Sequence, residues 1–183
     1  RKLYLDFTGK SKRGFNDSSL WLMDDGNWCH EKYYSYFEAS GILLAKEIPV
    51  RISPPDIVVP ISGRFDALLN VMDSEYLIDI KETNGAKFNS LKFPDYEVLV
   101  QWVLYSWIFL VPKGGILYEN RNMIPIPFKK IYDLENDDGS VNVFFQGIQV
   151  HREDCLLQRT INKMSEVYNL YDKGKFPSRC DKC

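Results

Sequence analysis

Asp66, Asp79 and Lys81 are the residues of this chain best suited to chemistry. Side chains alternate across a strand, so Asp79 and Lys81 share one face while Ile78 and Ile80 turn to the other, into the core. At that spacing the carboxylate can hold a divalent cation and the ammonium can steady an attacking water or the charge of a phosphorane. Asp66, closing the run Gly63-Arg64-Phe65-Asp66, stands on the preceding strand and can reach the same spot across a hairpin. Oxygen donors with open coordination positions favour Mg²⁺ or Mn²⁺. Such an ion polarises a phosphoryl group and lowers the pKa of its water. The plainer reading of Asp-x-Lys is an exposed salt bridge contributing at most about 1 kcal/mol. The apolar flanks Tyr76, Leu77, Ile78 and Ile80 point instead to a strand buried on one face, where ionised groups need partners or metal.

Gln101 and Tyr105 are four residues apart on the next expected helix and share a face. They can position phosphates or water; equally, Gln101 can be satisfied by backbone and Tyr105 half-buried in the core. His30 is one of two histidines and sits on an amphipathic helix, where a lone histidine is more often structural than a ligand. His151 reads as surface. Glu47 is a weaker site candidate that serves as well as a strand-edge ion-pair partner.

These groups need a scaffold. Asp24 and Asp25 can cap a helix over 26–40 that Gly41 ends. On it Gly26, His30, Tyr33, Tyr34 and Phe37 fall on or near one face. Strands are expected over 45–52, 58–70 and 75–82, the last two joined by a turn at 71–74 as a hairpin. A helix follows from Pro94 to about Leu110, then strands over 116–119 and 124–132, a polar loop over 135–143, and a helix over 152–173 that stops at Gly174. The order is helix, three strands, helix, two strands, helix: an α/β fold with a mixed central sheet flanked by helices. No linker or repeat divides residues 1–183, which are read as one domain with a cysteine-bearing tail over 174–183.

With 183 residues, 45% apolar and 26% charged, the chain can bury a real core. Aromatic residues reach 14%, so some rings are free to stack on a ligand while most belong to the core. A net charge of −2 gives no global basic field, and any nucleic-acid contact must rest on local patches and bound metal. The local candidates, Lys10, Lys12, Arg13, Lys129 and Lys130, read by default as solvated surface. The most apolar stretch, 98–111, is broken by Gln101 and too short to span a bilayer, so no membrane association and a cytoplasmic location are expected. Four cysteines are too few for a disulfide-stapled module, and the pair Cys180 and Cys183 suggests metal or redox chemistry. Cys29 and Cys155 read as buried packing residues.

Taken in order, Gly26-x-x-x-His30-Glu31, Gly41, Glu47, Gly63-x-x-Asp66, Asp79-x-Lys81, Gln101-x-x-x-Tyr105 and Gly115-Ile116-Leu117-Tyr118 resemble the RecB-type branch of the PD-(D/E)xK nuclease superfamily over most of the chain. The resemblance implies a restriction-endonuclease-like core. It implies metal held by His30, Asp66, Asp79 and the carbonyl of Ile80, with Lys81 assisting catalysis and Gln101 and Tyr105 lining a DNA site. Some members of that branch carry a [4Fe–4S] cluster on one cysteine near the start and three near the end. Here Arg1-Lys2-Leu3-Tyr4 has no cysteine before it and Cys183 none after it, so Cys180 and Cys183 are expected to be two of four ligands in a longer native chain. A zinc site shared with another chain and two free thiols are the alternatives.

The expectation is a Mg²⁺- or Mn²⁺-dependent DNA exonuclease acting on single strands or free ends. The rivals are a non-catalytic DNA-binding or assembly subunit and a structure-specific endonuclease. Repair, recombination, phage replication and spacer acquisition are all open as pathways, and so is assembly into an oligomer.

Overall fold

The computed structural model of the chain describes residues 17–53, 61–121 and 129–173, without the side chains of 17–25 and 171–172. Helix α1 spans Asp17–Ala39. Asp24 and Asp25 lie inside it, which corrects the expected cap: the helix begins earlier than its apolar periodicity. Gly41 ends it as expected. Its φ of +69° is one that glycine adopts freely. The chain there closes with Gly41 N–H donating to the Glu38 carbonyl at 3.0 Å and Ile42 N–H to that of Phe37 at 3.1 Å, the paired bonds of a Schellman stop.

Seven strands follow: β1 (Leu43–Ile52), β2 (Ile61–Val71), β3 (Ser74–Thr83), β4 (Lys113–Asn120), β5 (Lys129–Asp137), β6 (Ser140–Phe145) and β7 (Ile148–Glu153). They form one sheet in sequence order. Every neighbouring pair is antiparallel except β3 and β4. A parallel pair needs a long crossover, and the connection carries α2 (Gly85–Ser90) and α3 (Tyr96–Phe109). Asn84 caps α2 by accepting the Lys87 N–H.

The sheet has two covered faces. On one, Cys29, Tyr33 and Tyr34 of α1 pack on Ala67, Leu69, Ile78, Ile80 and Leu117. On the other, Leu99, Trp102 and Val103 of α3 pack on Ile116, Tyr118 and Tyr132, joined by Leu156 at the start of α4 (Leu156–Asp172). Each large ring so buried contributes about 1.5–3 kcal/mol. Sandwiched between both layers, β4 is buried from Gly114 to Asn120, as parallel pairing with two helical layers demands. Gly114 is required there by space: a Cβ would meet the Leu77 carbonyl oxygen at 2.2 Å and Trp102 Nε1 at 2.6 Å.

Three expectations are corrected. Residues 135–143 are not a loop but part of the β5–β6 hairpin, turned at Asp138 and Gly139. Their polarity belongs to the solvent side of the strand, since Tyr132 and Leu134 point inward while Asp133 and Glu135 are exposed. A seventh strand occupies 148–153, so the last helix starts at Leu156, after Arg152 and not with it. The short α2 was also unforeseen. The expected segments 58–60 and 124–128 lie outside the described residues. No helix among the described residues is long and apolar enough to cross a membrane.

Candidate active site

Backbone pairing between β2 and β3 runs from Val71↔Ser74 to Ala67↔Ile78 and stops, although both strands continue. The next positions in register are Asp66 and Asp79. Ile80 lies just beyond, and its N–H and C=O, which a continuing ladder would engage, are taken by side chains. The N–H donates to Asp66 Oδ2 at 2.8 Å. The carbonyl oxygen lies 3.1 Å from His30 Nε2, reaching over from α1. The split therefore gathers Asp66, Ile80 and His30 at one point.

Asp79 and Lys81 share the α3 face of β3, as strand alternation requires. Asp79 is only 2% exposed. Its Oδ1 accepts from Lys81 Nζ at 2.8 Å, and its Oδ2 is buried without a hydrogen-bond partner. Burial pushes the Asp79 carboxyl up to about 6; Lys81 pulls it back down, and Asp66 adds to the rise. Burial also works against the charge of Lys81, but the carboxylates of Asp79 and Asp66 outweigh it and raise the lysine. The strand thus keeps a charged lysine beside a carboxylate that is costly to ionise.

β2 changes face at the site. Ala67 and Leu69 pack under α1, but Phe65, which plain alternation would put with them, packs with Tyr105 on the α3 side. Asp66 sits at this switch. Across from it, between the pairs Lys46↔Ala67 and Ile48↔Phe65, Glu47 adopts a left-handed φ of 53°. Its Oε1 accepts from the Tyr34 hydroxyl at 2.8 Å and its Oε2 pairs with Arg64 Nε at 2.5 Å. Glu47 Oε1 and Asp66 Oδ1 stand 3.8 Å and 3.9 Å from His30 Nδ1. Glu47 is thus an ion-pair partner within the cluster itself.

Tyr105 lines the α3 side. Its hydroxyl donates to the Arg64 carbonyl at 2.9 Å. Burial raises its pKa, and a hydrogen bond from Gln101 works the other way. The i, i+4 pair is therefore linked, and it sits against the backbone of the Gly63–Asp66 run. Gly63 is needed for this approach, because a Cβ there would lie 2.5 Å from the Tyr105 oxygen.

His30, Asp66, Asp79, Ile80, Lys81, Gln101 and Tyr105 thus converge. Tyr34 and Arg64 were missed as neighbours of the cluster. Tyr34 stands one helical turn from His30, a spacing legible in sequence; nothing local marks Arg64. Other expectations are corrected. His151 is not free surface: it stacks on Phe93 at 4.2 Å with rings 4° from parallel, and its Nε2 lies 3.1 Å from Glu153. Cys29 is buried as expected, but Cys155 is exposed because it precedes α4 instead of lying on it. Lys130 is engaged, donating to the carbonyls of Phe88 and Leu91 at 2.6 Å and 3.1 Å. Lys129 lies over the rings of Tyr33 and Tyr36. Lys10, Lys12, Arg13, Cys180 and Cys183 lie outside the described residues.

The donors fit a divalent cation in kind more than in present arrangement. Among the described residues no three His, Cys, Asp or Glu side chains form a ready ligand cluster; one oxygen of Asp66 is held by the Ile80 amide and one of Asp79 by Lys81. One observation supports a fit, the partnerless, buried Asp79 Oδ2; His30 Nε2 and the Ile80 oxygen are engaged with each other in a 3.1 Å hydrogen bond.

Fold and site together define a mixed α/β protein whose mostly antiparallel seven-stranded sheet, flanked by helices, carries a split with an acidic–lysine cluster. Among solved structures, the crystal structure of SSO0001 is similar in fold, with a TM-score of 0.51 and 18% identity, covering 82% of this chain and 60% of that one. The chain therefore matches only part of the length of that protein, and the likeness is one of fold. No protein-family profile matches the chain, and no curated protein matches it either.

Proposed function

We propose that this chain is a Mg²⁺- or Mn²⁺-dependent DNA exonuclease of the RecB-type PD-(D/E)xK kind, hydrolysing phosphodiester bonds on single strands or free ends. The observation that carries the reading is Asp79, buried beside Asp66, paired with half-buried Lys81 and with its Oδ2 unpartnered. A buried carboxylate kept half-satisfied costs stability, which makes sense where a ligand completes it. His30, Asp66, Asp79 and the Ile80 carbonyl would hold the cation, which when bound supplies Lewis-acid polarisation and a more acidic water. Lys81 places a fixed positive charge where negative charge grows on the phosphoryl oxygens. Tyr105 and Gln101, fixed against the Arg64 carbonyl, form the wall along which a strand would lie.

End-labelled single-stranded DNA incubated with Mn²⁺, Mg²⁺ or chelator tests the reading. Metal-dependent laddering from one end, absent in Asp79→Ala, is expected. Cutting of closed circles would point to an endonuclease instead. No cleavage with any metal would leave the second reading, a non-catalytic DNA-binding subunit, which the absence of a ready ligand cluster among the described residues favours.

A further inference from the structure

Arg64 stands at the rim of the acidic–lysine cluster. It precedes Asp66 by two positions on β2, so the two side chains leave the strand on one face, while Phe65 between them packs against Tyr105 on the other. Asp66 faces His30 Nδ1 at 3.9 Å, and Arg64 Nε meets Glu47 Oε2 at 2.5 Å. The backbone of Arg64 is fixed as well, its carbonyl accepting the Tyr105 hydroxyl at 2.9 Å. A guanidinium carries five N–H donors in a rigid fork. With Nε toward Glu47 and the side chain 66% exposed, the terminal nitrogens are open to whatever approaches from outside. Stability does not account for this arrangement. An ion pair so exposed contributes little, whereas Glu47 holds a φ of 53°, which non-glycine residues enter only at a cost. Charge does account for it. The chain has a net charge of −2, and an anion entering the cluster meets the carboxylates of Asp66, Asp79 and Glu47. Lys81 is tied to Asp79 at 2.8 Å and is 29% exposed, so Arg64 carries the more accessible positive charge.

We infer that Arg64 is a phosphate-binding residue of the site: Glu47 steadies its guanidinium through Nε, and the terminal nitrogens take a phosphate of the bound strand beside the bond to be cut. Paired N–H donors on one phosphate give both charge and direction, which fixes the strand along the wall that Tyr105 forms. This role rests on the reading of the cluster as a phosphodiester-cleaving site. It calls for no metal, since the contact is made by protein alone, and so binding can be measured apart from cleavage.

Fluorescence anisotropy of an end-labelled oligodeoxythymidine, in chelator so that it stays intact, tests it across a salt series for the wild-type chain, Arg64→Ala and Arg64→Lys, with steady-state cleavage in Mn²⁺ alongside. Arg64→Ala is expected to bind about 10–100-fold more weakly. Its slope of log affinity against log salt should shrink by about 0.7, the share of one phosphate contact on a single strand. Arg64→Lys should keep the slope and still lose affinity, because lysine offers a point charge and not a fork. In cleavage by Arg64→Ala, KM should rise far more than kcat falls. Wild-type affinity and slope in a folded Arg64→Ala, or an unchanged KM, overturns the inference, while wild-type cleavage leaves the nuclease reading standing. Should Arg64→Ala fail to fold, Arg64→Lys decides, and wild-type affinity there overturns it. A wild-type chain that neither binds the oligonucleotide nor cuts it overturns the nuclease reading, and the inference with it.

Discussion

The carboxylate of Asp66 accepts the backbone N–H of Ile80 at 2.8 Å, in the place where a continued ladder between β2 and β3 would have supplied a backbone carbonyl. A side chain thus closes the account of a strand that has parted from its neighbour. The parting brings the α1 residue His30 and the β3 pair Asp79 and Lys81 to one point.

Lys81→Ala is expected to slow the proposed hydrolysis by about 10²–10³-fold, the usual effect of removing one electrostatic stabiliser. Mn²⁺ binding near neutral pH should survive, because an ammonium is not a ligand. Parallel cleavage assays and Mn²⁺ titrations check this; loss of both together would make Lys81 a structural partner of Asp79 only.

Mn²⁺ affinity is expected to fall as pH drops through about 6, the value to which burial raises the Asp79 carboxyl against the pull of Lys81. Binding needs the ionised carboxylate. The sign for stability is the reverse. Asp79 binds its proton more tightly folded than at its ordinary value of 3.8, so its contribution to stability is highest below that value and is lost as pH rises toward and through 6. Titrations at pH 5 and 7.5, and urea unfolding of metal-free wild type against Asp79→Asn across the same range, measure the two effects.

Gly63→Ala is expected to destabilise the fold by about 1–3 kcal/mol, as overpacking does, because its Cβ would sit 2.5 Å from the Tyr105 oxygen. The cost should be smaller in a Tyr105→Phe background, where the nearest ring carbons stand at ordinary contact distances of 3.4 and 3.6 Å. A double-mutant cycle by urea denaturation gives the coupling. Additive costs would mean that the tyrosine hydroxyl is not what excludes the methyl group.

Glu119 is 2% exposed, ion-paired to Lys32 and bonded by the Tyr33 hydroxyl. Glu119→Leu alone is expected to cost about 3–5 kcal/mol, since it strands a nearly buried ammonium. Adding Lys32→Met should recover much of that loss, because an apolar pair of similar volume often replaces a buried ion pair without penalty. Urea midpoints at constant slope measure both.

Much of the strand order was legible. The alternation in 75–82 and the apolar run through Ile116, Leu117 and Tyr118 mark β3 and β4, and Gly41 marks the end of α1. The β5–β6 hairpin was not legible, because β5 carries Asp133, Glu135, Asn136 and Asp137. In a strand with one wet face such residues cost nothing, so composition there resembles a loop. His151 was misread for a similar reason: its partner Phe93 lies on another element, and no local spacing joins them.

The sequence by itself determined which side chains share a face: Asp79 with Lys81 at a period of two, Gln101 with Tyr105 and His30 with Tyr34 at one helical turn. Those relations are properties of local backbone geometry and need no partner. Only the tertiary structure decided where β2 leaves β3, and hence that the amide and carbonyl of Ile80 fall to Asp66 and His30. It also decided that Glu47, in a left-handed turn of its own backbone, holds Tyr34 and Arg64 at the same spot. Ladder termination and the crossing of β2 from one helical layer to the other depend on how α1 and α3 compete for opposite faces of one sheet. That competition is settled by packing over long sequence distances, which no short window of residues contains.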